Sequence, residues 1–263
     1  MVNAQRLEYW LWLGSIGFTI LLIVRLSHTG LWRRYTCFFS LLCASVVQSL
    51  IHLPLKPNSR EYAWAYLVTQ PVIWILYILV VLELYSLVLK SHQGIATLGR
   101  WVLLVGSAVA VSLSMLSLVA DLPSSAGQSN PLLACLAYYT VIERGLAASL
   151  VLFLLIIVAF LAWFPVPLSR NIILYATLYT AYFLGSSMML LVRNVMGVKL
   201  TPVVSACLIG VLDLCLLGWV LLLNPEGEKQ TVVLRRRWCS QDEERLVEQL
   251  DSLNATLLRA TRK

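Results

Sequence analysis

The sequence predicts an all-α polytopic membrane protein with seven transmembrane helices and a C-terminal cytoplasmic amphipathic helix. Of its 263 residues, 59% are hydrophobic and only 13% are charged, and the mean hydropathy is +0.80. These values are too apolar for a soluble domain of this length. Apolar stretches of about 20 residues, the length that crosses a bilayer, recur along the chain, and polar residues follow helical periodicity within several of them.

The apolar stretches define the predicted spans and the domain organisation. They lie at 9–27, 36–54, 62–89, 98–120, 136–164, 171–195 and 201–223. The first lacks the basic n-region and cleavage site of a signal peptide, so we expect it to remain as a plain anchor. Residues 1–230 form the predicted membrane domain. Residues 231–263 form a cytoplasmic basic stretch and a tail helix.

The distribution of Lys and Arg sets the predicted orientation. With the N-terminus outside, ten basic residues lie in cytoplasmic connectors or the near tail, and four lie outside. This asymmetry follows the positive-inside bias. The connector Asp121–Tyr139 contains neither Lys nor Arg, which agrees with an outer location. We therefore expect a protein of the plasma membrane with its N-terminus outside and its C-terminus in the cytoplasm.

The sixth predicted span, Asn171–Val195, carries a polar stripe. Its members recur at steps of three and four residues: Tyr175, Tyr179, Tyr182, Ser186, Met189 and Arg193. This spacing places them on one face of a helix. Such a face is useful in lipid only if it contacts other helices or trapped water, so we expect this helix to form a wall of the interior.

Polar residues of other spans lie at a similar predicted depth. In the second span, Ser45, Gln48, Ser49 and His52 form a stripe that either bonds neighbouring helices or contacts a ligand. Together these residues predict an outward-facing, ligand-binding pocket between spans two, three, five, six and seven. Its candidate residues are Gln48, His52, Gln70, Glu143, Arg144, Tyr182, Ser186, Arg193 and Asp213.

Two carboxylates receive separate predictions. Asp213 lies near mid-membrane, where a charge is most costly, so we expect it to face inward with a proton or with Arg193 or Arg144 as partner. Glu83 lies near the cytoplasmic boundary and forms a separate inner charged site. It either carries a proton or pairs with a nearby cation, for which the candidates are Arg33, Arg34, Lys90 and Arg100.

The tail is predicted to dock on another surface. The basic stretch TVVLRRRW suits the anionic inner face of a membrane. Ser240 and Glu243 then make a capping-box start, followed by leucines at heptad-like spacing: Leu246, Leu250, Leu253 and Leu257. So short a heptad pattern is marginal as a free coiled coil. We expect the helix to bind the membrane, the bundle, an effector protein or a second copy of the chain.

Several function classes lack the residues that they require. The last span, Thr201–Leu223, contains no lysine for a retinal Schiff base. The three histidines form no metal-binding pair, and the six cysteines form no CxxC motif. The formal charge of +7 lies in connectors and tail and is not interleaved with exposed aromatics, unlike a nucleic-acid site. We therefore predict no cofactor, no metal, no catalytic residues and no nucleic-acid partner.

Two stretches carry a resemblance to known proteins. ELYSLVLKSHQGIATLGR (Glu83–Arg100) and EERLVEQLDSLNATLLRATRK (Glu243–Lys263) resemble those of uncharacterised bacterial seven-helix integral membrane proteins. The resemblance implies the seven-helix topology and no particular activity. The architecture is receptor-like in outline only.

Three hypotheses of function remain open at this point. The first is a non-enzymatic sensor or signalling module that binds a small molecule or a partner's segment in the outer pocket and reports through the tail. The second is a small proton-coupled transporter in which Asp213 and Glu83 carry protons, although the chain shows no convincing internal repeat. The third is a scaffold that assembles other membrane proteins.

Overall fold

A computed structural model describes most of the predicted membrane domain. It covers residues 2–55, 59–89, 131–163, 167–196 and 201–233, with isolated positions at 101, 105, 106, 108, 109, 112, 248 and 252. The fourth predicted span and the tail helix therefore lie almost entirely outside the described residues. Arg144 and Arg193 have helical backbones, but their side chains also lie outside the described part.

Helices make up nearly all of the described chain, which confirms the all-helical class for this part. They are α1 (Val2–Thr29), α2 (Thr36–His52), α3 (Arg60–Val88), α4 (Pro131–Trp163), α5 (Arg170–Met196) and α6 (Thr201–Leu222). Short 3-10 helices lie at Leu31–Arg33 and Pro225–Glu228. Each long helix coincides with one of the predicted spans.

Four of the described helices are long and apolar enough to cross a membrane. The qualifying segments are Tyr9–Thr29, Arg60–Val88, Arg170–Met189 and Val203–Leu222. Thr36–His52 and Gly145–Ala159 are shorter apolar helical segments. These helices indicate that the protein resides in a lipid bilayer. Seven crossings stay a prediction.

The six described helices form a closed ring. Each packs on its neighbours in chain order, and α1 packs along α6 to complete the ring. Helices α3 and α5 also touch across the middle. This contact divides the interior into one half between α3, α4 and α5 and another half bounded by α1, α2, α3, α5 and α6.

Helix α1 is more than the plain anchor that the sequence predicts. It buries Ser15, Thr19, Leu22 and Leu26 and packs along α6. The Ser15 hydroxyl donates to the Trp12 carbonyl at 2.8 Å, and the Thr19 hydroxyl donates to the Ser15 carbonyl at 2.6 Å. Because these hydroxyls are satisfied within their own helix, they can enter a helix interface at little cost.

Aromatic rings fill the interior where α2, α5 and α6 meet. Tyr175 and Tyr179 are 0% and 2% exposed, which confirms that this part of the predicted stripe faces inward. The ring of Phe38 lies between them and Trp219, with centroid distances of 5.1, 5.7 and 5.0 Å. Tilted and edge-to-face pairs of this kind add to the gain from apolar burial. We call these four residues the aromatic cluster.

A two-stranded antiparallel sheet joins the segments before α5 and after α6. Strand β1 (Pro167–Ser169) pairs with β2 (Thr231–Val233), with Leu168 opposite Val232. From the sequence we predict residues 231 onward at the membrane surface and in the tail, and we predict no sheet. Strands of three residues are too short for a periodicity of two to be recognised.

Candidate functional site

Hydrogen-bonding side chains connect α2, α3 and α4. The Gln48 amide donates to Thr69 Oγ1 at 3.1 Å and to Gln70 Oε1 at 3.0 Å. The Gln70 amide and the Tyr66 hydroxyl in turn donate to the two oxygens of Glu143, each at 3.4 Å. We call these five residues the Glu143 cluster. Three of the predicted site residues, on three different helices, are thus brought together.

His52 adjoins this cluster at the end of α2. The side chain is 7% exposed, and its ring packs edge-on against Tyr62 and Tyr66 at centroid distances of 4.7 and 6.4 Å. Its Nδ1 lies 2.7 Å from the Gln48 carbonyl and must donate to it, so in the neutral imidazole Nε2 is left as an acceptor. Among the described residues, Nε2 is buried without a hydrogen-bond partner. A ligand that donates a hydrogen bond would satisfy it.

A small cavity lies beside Glu143, between α3, α4 and α5. We call it the first cavity. Its volume is about 20 Å³, which is room for a single water molecule. Its polar lining combines the Glu143 carboxylate with the hydroxyls of Tyr77, Tyr182 and Ser186. Two further predicted site residues, Tyr182 and Ser186, therefore face the same space as Glu143.

A second cavity, of about 70 Å³, occupies the other half of the ring. Tyr77 of α3 and Tyr182 of α5 line both cavities. Their hydroxyl oxygens lie 3.0 Å apart and share a hydrogen bond. This tyrosine pair belongs to the contact between α3 and α5, and it forms the wall that the two cavities have in common.

Asp213 lies apart from the Glu143 cluster, which corrects the predicted grouping. It is 9% exposed and lines neither cavity. Its Oδ2 lies 3.8 Å from the position that a Cβ on Gly14 would occupy, so the carboxyl group faces α1. Oδ1 has no hydrogen-bond partner among the described residues. The prediction grouped residues by depth, and depth does not determine which side of α6 faces which neighbour.

Arg144 and Arg193 complete the predicted set. They belong to α4 and α5, and their side chains lie outside the described part of the structure. That either arginine reaches Glu143 or Asp213 stays a prediction.

Among the described residues, Glu83 bonds backbone amides and none of the cations predicted as its partners. Its carboxylate accepts hydrogen bonds from the backbone amides of Cys37 and Phe38, at 2.9 and 3.2 Å. These amides belong to the first turn of α2, where the N-cap residue Tyr35 provides no side-chain cap. Glu83 on α3 therefore supplies both the missing acceptor and a negative charge at the positive end of α2.

The cations predicted for Glu83 have other roles or are not described. Arg34 pairs with Glu228, with 3.0 Å between Nε and Oε2. The guanidinium of Arg33 lies over the ring of Trp32, 5.4 Å from its centroid. Lys90 and Arg100 lie outside the described residues. The inner charged site at Glu83 is thus primarily a helix cap in the described structure.

Side-chain contacts of Glu228 connect three chain segments at the end of the ring where Glu83 lies. Its Oε1 accepts from the Tyr35 hydroxyl and, at 3.1 Å, from the Asn171 amide. Asn171 also donates to the Asn224 carbonyl at 2.8 Å. Together with Arg34, these residues form what we call the inner junction.

The inner junction is missing from the sequence-based site. Burial, and then the neighbouring Glu228 carboxylate, raise the pKa of the Tyr35 hydroxyl well above its usual value, so the hydroxyl keeps its proton and donates. Glu228 lies in a short turn, so no helical or strand periodicity in the sequence indicates its partners. The only available signal is that Glu228 follows Asn224-Pro225, directly after the last span.

The comparisons with known proteins add no relative. No protein family, curated protein or solved structure matches the chain at a significant level. Among the described residues, no group of three His, Cys, Asp or Glu side chains is placed to hold a metal ion.

Proposed function

We propose that the protein is a non-enzymatic membrane sensor that binds a small cationic or hydrogen-bond-donating ligand at the Glu143 cluster. The observation that carries this proposal is the position of the Glu143 carboxylate, which lines the first cavity while Gln70 and Tyr66 donate to it from α3. A carboxylate at bilayer depth is expensive and commonly marks a functional site.

The lining of the first cavity sets the class of ligand. The Glu143 carboxylate accepts hydrogen bonds, and the aromatic side chains of Trp74 and Phe183 in the wall favour a cation. A volume of about 20 Å³ admits one small group. An ammonium ion, or the head group of a primary amine, has the matching charge, donors and size.

In this proposal, helix α5 transmits the effect of ligand binding from the first cavity to the inner junction. Tyr182 lies at the first cavity, and Asn171, at the start of the same helix, bonds Glu228 in the inner junction. Strand β2 and then the tail follow that junction in the chain. A ligand that displaces α5 would therefore shift the segment that leads to the tail, which would report to an effector or to a second protomer.

The seven-span topology, with an outward-opening site in the plasma membrane, is part of the same proposal. In their N-terminal halves, α3 and α4 are joined by the Gln70–Glu143 hydrogen bond. In their C-terminal halves they are joined by Tyr85 and Phe153, whose ring centroids lie 5.3 Å apart. The two helices are therefore parallel, which supports a further crossing between them, the fourth predicted span, as part of this proposal.

The ligand proposal is tested by thermal unfolding of the full chain in lipid nanodiscs. We expect ammonium and methylammonium to raise the midpoint in a saturable manner, because a ligand that binds only the folded state stabilises it. Glu143→Gln should abolish this rise. Glu61→Gln, which changes an exposed acid in the first turn of α3, is the matched control and should keep it. An equal rise in Glu143→Gln would contradict the proposal.

The tail is tested separately by deleting Ser240–Lys263. We expect the deletion to change the oligomeric state or the capture of a partner while ammonium binding persists.

The transporter alternative has less support, because the Glu83 carboxylate already accepts hydrogen bonds from the α2 amides and Asp213 lines neither cavity. A proton flux in liposomes that Asp213→Asn abolishes would favour it.

A further inference from the structure

The second cavity is distinct in chemistry from the first. None of the side chains that line it carries a charge. Its volume of about 70 Å³ holds several water molecules or one small organic molecule. Apolar contacts come chiefly from leucines of α2 and α6, and polar contacts come from the hydroxyls of Thr19, Ser45 and Tyr179. An ion would gain little in this space, whereas an uncharged molecule would fit both kinds of wall.

Trp219 adds a specific requirement for the occupant. This residue lines the second cavity and is 2% exposed, and its Nε1 is buried without a hydrogen-bond partner among the described residues. The ring packs against Phe38 and Tyr179 at centroid distances of 5.0 and 4.7 Å, so it cannot turn without opening the aromatic cluster. A buried N–H without an acceptor is uncommon in folded proteins.

Two of the hydroxyl groups that line the second cavity already donate hydrogen bonds to backbone carbonyls of their own helices. Thr19 donates to the Ser15 carbonyl at 2.6 Å, and Ser45 donates to the Leu41 carbonyl at 2.8 Å. Their oxygens keep lone pairs that can accept from an occupant. The site therefore offers a donor at Trp219 and acceptors at Thr19 and Ser45.

From this lining we propose that the second cavity is a binding site for a small uncharged molecule with a carbonyl or hydroxyl oxygen, which accepts the hydrogen bond of Trp219. A hydroxyl or primary amide on the same molecule would in addition donate to Thr19 or Ser45. This site is separate from the Glu143 cluster, but both cavities share the Tyr77–Tyr182 wall.

The test follows the indole N–H of Trp219 by NMR, in the full chain labelled with ¹⁵N-tryptophan in nanodiscs. Trp219→Phe assigns the signal among the nine tryptophans. We expect acetone, acetamide and ethanol to move it in a saturable manner, and we expect the indole signal of Trp10, which is 70% exposed, to show no saturable change. Glu143→Gln should leave the Trp219 response intact, which separates this site from the proposed function.

Two variants address the cavity itself. Ser45→Val fills part of the space and should weaken the response at least tenfold. Ser40→Val is its matched control, because Ser40 is exposed on the same helix and donates to the Thr36 carbonyl at 2.9 Å in the same way. If Ser45→Val does not fold, Thr19→Val replaces it. A Trp219 signal that no probe moves would show that none of the probes enters the cavity. A signal that moves equally in Ser45→Val would show that the probes reach Trp219 from elsewhere. Either result would overturn the proposal.

Discussion

At the residue scale, Gly227 lies directly against Asn171 in the inner junction. A Cβ at this position would overlap Asn171 Oδ1 and would lie 3.0 Å from its Cγ. Asn171 is 1% exposed, and its amide is held by the Asn224 carbonyl and by Glu228. Its side chain cannot withdraw without breaking those hydrogen bonds. Glycine is therefore required here by close approach.

We predict that Gly227→Ala lowers the free energy of unfolding by about 1–3 kcal/mol, the usual range for overpacking a filled site. Chemical denaturation in detergent micelles measures this. Gly17→Ala is the control, because a Cβ there meets nothing within 4 Å in the described structure, and alanine is no worse than glycine in a helix. If Gly227→Ala is equally harmful in an Asn171→Ala background, the contact with Asn171 is not its cause.

Residue contacts divide into those that periodicity can predict and those that it cannot. The burial of Tyr175 and Tyr179 follows from their spacing, because a helix repeats its faces at known steps. The partners of Glu228 do not follow, since they come from segments about 57 and 193 residues away in the chain. The direction of Asp213 also depends on α1, which closes the ring against α6.

At the scale of elements, α2 depends on α3 for its first turn. Tyr35 precedes the helix without capping it, and Glu83 accepts from the amides of Cys37 and Phe38 instead. When a side chain on one helix caps the N-terminus of a second helix, it fixes the axial position of the two helices relative to each other. Apolar periodicity is sufficient to predict the two helices. Predicting this cap also requires knowledge of how the helices pack.

We therefore predict that Glu83→Gln weakens the junction of α2 and α3, because a neutral amide is a weaker acceptor and removes the charge at the helix N-terminus. The expected loss is about 1 kcal/mol of unfolding free energy. Hydrogen exchange should quicken at the amides of Cys37 and Phe38, and Glu83→Ala should quicken it further. Unchanged exchange at these amides would contradict the capping role. Glu61→Gln again serves as the control.

At the scale of the whole molecule, the first and last described helices close the ring. Besides the packing of α1 along α6, the Arg25 guanidinium donates to the Leu223 carbonyl at 2.7 Å, just beyond the end of α6. A cation at that carbonyl end is favoured by the helix dipole. The sequence predicts the helices one by one. Their order around the ring depends on contacts of this kind, which link distant parts of the chain.

The direction of the helices makes the topology testable. Arg60 begins α3, and Lys229 follows the inner junction, which lies near the opposite end of α3 beside Glu83. In a variant without the native cysteines, we expect a membrane-impermeant maleimide to label Arg60→Cys and Ser125→Cys in intact cells. Lys229→Cys should react only after the cells are permeabilised, because five crossings separate it from Arg60 in the proposed topology.

Each outcome of this labelling bears on a specific element. If Ser125→Cys reacts from the same side as Lys229→Cys, the chain does not return across the membrane between α3 and α4, which would contradict their parallel packing. If all three positions react from the sides opposite to those predicted, the number of crossings stands and the positive-inside assignment is reversed. The first cavity would then open toward the cytoplasm, and the ligand of Glu143 would come from inside the cell.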